Sequence, residues 1–310
     1  MSDRYEAQVR GALDAISIRP GAYLWFGRRV EVPAGDSLAA AVQQRLLAGF
    51  YGLGAPRPLP RAAAAPASVD AGAFAGALSQ ANCGRGSWQS GWSVAQIEDD
   101  AIAVVRPADG LVLRAAPQDC RVEGALADVR MPKEMAGHAP GLLHMRGDTP
   151  AEPGREQVRL CWNVTAIGAV TLVKRLTYAL NRAGVPFTLE VQDDPARYED
   201  GAAADLLLAR TDFAAVIALL RPLLRALGSH LRAGEPAFTK PLRHGLAVAE
   251  EPRGGERFGE HRCRLLAEAI AGSEQPGLSV DAVRERFAAE GIALEAPYLQ
   301  PGSSDAYDGS

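Results

Sequence analysis

Hydrophobic periodicity changes twice within residues 158–192, VRLCWNVTAIGAVTLVKRLTYALNRAGVPFTLEVQ, and the changes mark out a β-α-β unit. Val158 to Trp162 is a short apolar, β-prone run. Ile167, Val170, Val173, Leu176 and Leu180 then recur at helical spacing, with Asn163 and Thr165 offering N-cap oxygens before them and Gly184 stopping the helix after them. Beyond Pro186, Phe187, Leu189 and Val191 alternate with Thr188, Glu190 and Gln192, the period-two signature of a half-buried strand. One face of that strand points inward, and the other is free to carry polar chemistry.

The same patterning extends in both directions. Residues 1–54 read as helical, with Asp36 or Ser37 capping an apolar run through Val42, Leu46, Leu47 and Phe50, and with Tyr51 as packing. Residues 55–68 are Pro- and Ala-rich, a surface linker by composition. A short helix over 73–80 leads into ANCGRGSWQSGWSV (81–94), a glycine-rich loop that could hold an anion on its N–H groups or anchor its two tryptophans in the core. Strands at 102–106 and 111–115 flank a turn, and further short strands fall at 121–122 and 142–145 around a loop containing Lys133. Later come a strand at 205–209, a helix from Thr211 or Asp212 to Leu227 kinked at Pro222, and a loop over 236–252 with Lys240 that feeds a strand at 246–249. A helix over FGEHRCRLLAEAIAG, a last helix capped by Ser279 and a polar, fraying tail beyond Tyr298 close the chain. The expected class is α+β, a single globular domain with a mixed sheet, a central β-α-β unit and flanking helices. Its expected parts are a helical segment (1–54), a linker (55–72) and a main domain (73–310) that can form one unit with the first segment.

Composition narrows the chemistry. At 310 residues, 47% of them hydrophobic, the chain can bury a sizeable core. No apolar run approaches the roughly 20 residues of a membrane helix, and MSDRYEAQVR lacks a hydrophobic signal region, so a cytoplasmic protein with no membrane partner is expected. Cys83, Cys120, Cys161 and Cys263 lie far apart without a CxxC pair, which argues against zinc or a disulfide framework and for reduced, mostly buried thiols. A net charge of −4 excludes a generally basic nucleic-acid binder, yet 221–264 holds nine basic side chains against five glutamates. That region is either a phosphate site or a solvated helix face. Only Lys133, Lys174 and Lys240 are lysines. Arginine does not deprotonate in proteins, so a basic amine could come from these three alone.

Taken together, LLAGFYGLGAPRP (46–58), ANCGRGSWQSGW (81–92), MPKEMAGHAPG (131–141), VRLCWNV (158–164), GAVTLVKRLTYALNRAGVPF (168–187), FTKPLRHGLAVAEEP (238–252), FGEHRC (258–263) and PYLQPGSSDAY (297–307) resemble the HopA-type family. That family comprises type III secreted effectors of plant-pathogenic bacteria and phosphoserine/phosphothreonine lyases of ribosomal peptide natural-product pathways, such as those of lanthipeptides and thioamitides. The resemblance implies a metal-independent, cofactor-free β-elimination of phosphate from a phosphorylated precursor peptide, leaving dehydroalanine or dehydrobutyrine. A separate peptide kinase would supply the substrate, because no nucleotide-binding motif is present. Such chemistry needs a base for the α-proton, donors for the enolate oxygen and cations for the leaving phosphate.

On this resemblance Lys240, in a polar loop with Thr239 and Arg243, is the expected base. His261 is the expected acid, beside Arg262 as a two-pronged phosphate clamp, although a histidine bonded to backbone at a helix start fits the same position. Arg159 and Lys174 are secondary phosphate ligands, with a solvated helix face as the alternative for Lys174, and Asn82 and Arg85 could touch peptide or phosphate. His244 has weaker support, and His138, His144 and His230 look incidental. The chain departs from the family pattern at Glu190, where the family commonly carries lysine, and at GAAAD, where an Arg-Asp pair is common. A carboxylate facing a phosphate dianion is repelled unless a cation pairs with it. The alternative is a non-catalytic binding module, either a kinase-activating subunit or an effector-type interaction protein. The two are separated by whether Lys240, His261 and at least two arginines share a pocket that Glu190 avoids. A metal enzyme has little support, since no spacing such as HExxH occurs.

Overall fold

The computed structural model describes residues 2–59, 71–108, 110–139, 141–199, 201, 203–272 and 279–308. Most of the expected linker, residues 60–70, lies outside them, as does the side chain of His138. The chain begins with α1 (Ser2–Ala15), β1 (Ile16–Arg19), β2 (Ala22–Trp25), β3 (Arg28–Glu31), α2 (Leu38–Gly49) and α3 (Ala71–Ala81). It continues with β4 (Ser87–Ile97), β5 (Ile102–Val105), β6 (Val112–Ala115), β7 (Cys120–Glu123), β8 (Leu126–Met131), β9 (Glu134–Ala139) and β10 (Leu142–Arg146). The rest is β11 (Gln157–Trp162), α4 (Ala166–Arg182), β12 (Thr188–Gln192), β13 (Ala204–Ala209), α5 (Phe213–Leu227), β14 (Lys240–Arg243), β15 (Leu246–Glu250), α6 (Phe258–Ala271) and α7 (Val280–Ala289). The class is α+β, as the alternation of periods predicts.

A seven-stranded sheet in the order β14-β15-β11-β13-β12-β10-β9 forms the centre. Strands β11 and β12 flank α4 as expected, with Thr165 capping the helix by accepting the Gly168 N–H at 3.1 Å. Asn163 does not cap it; its amide donates to the carbonyls of Ala233 and Gly234. The two strands run in the same direction but are not neighbours, because β13 lies between them and is antiparallel to both. Every ladder of this sheet is antiparallel, so the expected mixed sheet has its parallel pair split by an inserted strand.

Register gives the sheet two unlike faces. Met145, Leu189, Leu206, Leu160 and Val248 are opposite one another across successive strands, and all five are fully buried. Each such side chain contributes about 1.5–3 kcal/mol relative to an exposed one. On the other face, displaced by one residue, lie His144, Glu190, Asp205 and Cys161. Helices α4 and α5 pack together, as do α2 and α6. The stretch Arg210–His230 is long and apolar enough by length and composition to cross a membrane, which the interrupting arginines conceal in the sequence. Its Val216, Leu220, Leu223 and Leu227 are buried in the main core.

Several local expectations change in the folded chain. The N-terminal 54 residues are not wholly helical, because β1, β2 and β3 form an antiparallel meander between α1 and α2, with strands of four residues too short for a visible period. The glycine-rich loop ends at Gly86, and β4 runs straight through SWQSGW. Gly91 sits at φ +87° where the ladder to β8 shifts register, so a bulge absorbs the glycine. Trp92 from this strand is the centre of a small second core in the five-stranded sheet β6-β5-β4-β8-β7. Lys240 opens the edge strand β14 rather than a loop. Of the four free cysteines, Cys161 and Cys263 are buried, Cys120 is half-buried and Cys83 is exposed.

From Tyr298 to Tyr307 the tail does not fray. Tyr298 and Tyr307 are both buried, and the Tyr307 hydroxyl donates to Glu250 Oε1 at 2.5 Å. Gln300 N–H donates to Glu250 Oε2 at 2.7 Å, and Glu250 N–H donates to the Tyr298 carbonyl at 2.8 Å. The C-terminal segment is therefore strapped to β15 through one buried carboxylate. Tyr307→Phe removes a donor from that carboxylate and is expected to destabilise the fold by about 1–3 kcal/mol in urea unfolding. An unchanged midpoint would show that the Tyr307 hydroxyl contributes nothing to the strap.

Candidate functional site

The polar face of the sheet is organised by Arg159 on β11, which is 3% exposed. Its guanidinium pairs with Asp205 of β13 at 2.7 Å, with Glu190 of β12 at 3.5 Å and with Glu251, just past β15. Burial alone would lower its pKa, but Asp205 and Glu251 more than reverse that, and the net shift is upward. Three carboxylates around one cation leave negative charge to be balanced. Arg257 offsets part of it by ion-pairing Glu190. Burial, then Arg159, lowers the pKa of Arg257. His144 stands directly opposite Glu190 in the ladder, its Nδ1 3.5 Å from Glu190 Oε1. Burial, then Arg146 and Arg257, lower its pKa, so the ring is neutral at neutral pH.

A cleft of about 550 Å³ opens on this face, with Arg57, Arg159, Arg197 and Arg257 among its lining residues together with Glu190, Asp205 and Glu260. Its opposite wall is the turn at Tyr51 and Gly52 after α2. A Cβ on Gly259 would lie 2.6 Å from the Tyr51 ring, so the ring rests on the first turn of α6 where only glycine fits. Gly201, at φ +123°, approaches Gly52 so closely that a Cβ there would lie 2.2 Å from the Gly52 carbonyl oxygen. Burial, then nearby Cys161 and Asp205, raise the Tyr51 pKa well above its ordinary value, so the phenol keeps its proton. The α6 N-terminus also faces the cleft, with Arg257 as its N-cap residue and Gly259 and Glu260 on the wall. A helix start carries about half a positive charge and free N–H groups. The Phe258 N–H is already taken by Glu251 Oε2 at 3.1 Å. A second hollow, about 370 Å³, shares Arg159, Glu190 and Arg257 as its border with the cleft. Among the described residues no group of three or more His, Cys, Asp or Glu is placed to hold a metal ion.

The residues singled out in the sequence fall into separate places. Lys240 pairs with Val248 in the ladder, which puts it on the apolar side of the sheet, opposite Arg159. Its Nζ is 2.6 Å from Asp305 and 5.7 Å above the Tyr298 ring. The Thr239 hydroxyl donates to the Pro236 carbonyl at 2.7 Å, and its own carbonyl accepts from Tyr5. Arg243 is exposed at the end of β14, and Lys174 is exposed on α4. Arg262 is fully buried, donating to the carbonyls of Pro297 at 2.7 Å and Leu299 at 3.0 Å, so its fork grips backbone. His261 Nδ1 lies 2.7 Å from that guanidinium, and burial, then Arg262, push the His261 pKa down to about 4. Neither Lys240 nor His261 is among the residues lining the cleft, whereas Glu190 is.

The glycine-rich loop does hold an anion, and the anion is internal. Asp148 Oδ1 accepts the N–H groups of Arg85 at 2.6 Å and Gly86 at 3.0 Å. Asn82 is buried beneath it, accepting from the Gly84 N–H and donating to Glu134. Lys133 Nζ donates to the carbonyls of Ser79 and Asn82 and closes the end of α3. Of the expected ligands only Arg159 lines the cleft. Tyr51, Arg57 and Arg197 were not foreseen as ligands, and Arg257 only as one cation of the basic 221–264 region; Tyr51 and Arg57 fall within LLAGFYGLGAPRP, one of the segments that resemble the family.

Residues 134–299 match the HopA1 effector protein family, which is more than half of the chain. The chain belongs to the HopA1 effector protein family. The HopA1 match contains Arg159, Glu190, Asp205 and Arg257, whereas Tyr51, Arg57 and the five-stranded sheet lie before it. Two solved structures share the fold. One is the effector protein from Pseudomonas syringae pv. tomato strain DC3000, with a TM-score of 0.52 and 15% identity over 96% of each chain. The other is the effector protein from Pseudomonas syringae pv. syringae strain 61, with a TM-score of 0.51 and 14% identity, covering 97% of this chain and 99% of that one. Among curated proteins, none matches the chain in sequence.

The depressed pKa of His261 gives this HopA1 fold a pH signature. Between about pH 6.5 and 4 the unfolded chain binds a proton at this histidine that the folded chain refuses, so stability falls as pH drops through that window. His261→Gln is expected to lose less stability than the parent between pH 7 and pH 5 when urea midpoints are compared. Equal losses would show that the imidazole is not held neutral.

Proposed function

We propose that this HopA1-family protein binds a phosphorylated Ser or Thr side chain of a peptide in the arginine cleft and eliminates the phosphate, leaving dehydroalanine or dehydrobutyrine. The observation that supports it most is the convergence of Arg57, Arg159, Arg197, Arg257 and the α6 N-terminus on one cleft. Arg159 is locked among its carboxylates, so its role is to position them. Arg257 is the exchangeable cation: its side chain is 37% exposed and its partner is a single carboxylate. A phosphate dianion is the stronger acceptor for a guanidinium and draws Arg257 from Glu190.

Glu190 then faces the substrate with its negative charge partly uncompensated, 12% exposed and beside a neutral imidazole. In the proposed step the α-proton passes to Glu190, the C–H electron pair forms the Cα–Cβ double bond, and the Cβ–O bond breaks. The departing oxygen takes a proton from solvent, so phosphate leaves as the hydrogen phosphate dianion, its charge held by Arg257 and Arg197. The protonated Tyr51 phenol is the donor for the enolate oxygen. Glu190 thus takes the part that the family resemblance gave to a lysine, and the pairing that kept it from repelling phosphate is the one that substrate binding exchanges. A peptide kinase acting beforehand supplies the substrate.

Three observations favour binding without turnover: none of the three lysines, all within the described residues, lines the cleft, His261 does not line it either, and Glu190 does. Mass spectrometry of a phosphothreonine peptide separates the two. Loss of phosphoric acid with the parent protein is expected, slowed about 10²- to 10⁴-fold in Glu190→Gln. Arg257→Gln is expected to weaken binding and turnover together. A parent protein that binds the phosphopeptide but leaves it intact is a binding module, and one that does not bind it defeats the proposal.

A further inference from the structure

Helices α4 and α5 pack side by side, and their outer surface is cationic. Their sequences, AIGAVTLVKRLTYALNR and FAAVIALLRPLLRAL, carry Lys174, Arg175, Arg182, Arg221 and Arg225 and not one carboxylate, in a chain whose net charge is −4. All five cations are exposed. Between the helices runs a groove of about 520 Å³. On α4 it is lined at positions 175, 178, 179, 182 and 183, one helical stripe spanning about 12 Å at 1.5 Å per residue. On α5 it is lined by Leu219, Pro222 and Leu223. Leu223 is 5% exposed and forms the recessed floor, while Tyr178 at 55% and Leu219 at 37% stand as exposed apolar walls. The Arg182 guanidinium donates to the Tyr178 hydroxyl at 3.0 Å, which holds a cation at the rim.

We infer that this groove is a docking site for an acidic amphipathic helix of a partner protein. A hollow between two packed helices takes the ridge of a third, whose apolar stripe at i, i+3, i+4 and i+7 would cover Leu219, Leu223 and Tyr178. The rim selects the sign of the partner, because a carboxylate-rich helix meets Arg175 and Arg182 while a basic one meets only like charge. Leu223, recessed between the projecting Tyr178 and Leu219, makes a channel that the ridge of a helix fills and a planar lipid surface does not. The groove lies on helices that do not line the arginine cleft, so the inference does not depend on the proposed chemistry.

The probe is a fluorescein-labelled helical peptide with leucine along one stripe and glutamate elsewhere, titrated into the full chain by fluorescence polarisation. Binding that weakens with added salt is expected, together with a loss of about tenfold in Arg175→Glu/Arg182→Glu and none in Arg19→Glu on the three-stranded sheet. Leu219→Ala should weaken binding with no change in salt dependence. Failure of the parent protein to bind the peptide, or binding indifferent to the double variant, overturns the inference. So does binding of phosphatidylglycerol vesicles in place of the peptide, or self-association of the chain that the double variant abolishes, since these assign the groove to lipid or to a second copy.

Discussion

A guanidinium removed from water must be neutralised where it stands, and Arg159 is neutralised by three strands at once. Asp205 comes from β13, Glu190 from β12, and Glu251 from the chain leaving β15. A slip of one residue in any of these ladders would turn its carboxylate to the apolar face and leave that charge buried without a partner, at a cost of about 3–5 kcal/mol. The network therefore fixes register as well as charge. Its acidic surplus then recruits what surrounds it: Arg257 to Glu190, and the first N–H of α6 to Glu251. The cleft follows from that recruitment, because the helix start and the Tyr51 turn are drawn against the polar face.

Two adjacent glutamates divide the work between the two faces of the sheet. Glu251 turns toward Arg159 and α6, while Glu250 turns the other way and holds Tyr307, Gln300 and Arg210. Strand alternation requires this opposition. It also explains why Lys240 and Arg159, neighbours of the same strand β15 through its two edges, serve different structures. Lys240 belongs with Asp305 and Tyr298 to the C-terminal strap, and Arg159 to the cleft. Arg262 ties the two together through the backbone of residues 297–299.

The α4 helix, its flanking strands and the polar face of β12 were legible because each rests on local periodicity. The insertion of β13 between β11 and β12 was not, since strand order depends on pairing that no single segment encodes. The same limit hid the site. Alternation says that Lys240 and Arg159 each have a face, and only the ladder says that the faces differ. Polar composition suggested a loose tail, whereas two buried tyrosines decide its packing. Glu190 was recognisable as a departure from the family pattern, and its meaning depended on Arg257, a residue 67 positions away in sequence.

The exchange of Arg257 from Glu190 to phosphate is the hinge of the account. A crystal structure of the protein with a bound phosphothreonine peptide tests it most directly. The phosphate is predicted at the α6 N-terminus, held by Arg257, with Glu190 released from that guanidinium and Arg159 still among its carboxylates. A phosphate bound elsewhere, at Lys240 for example, with the Arg257–Glu190 pair intact, would contradict it.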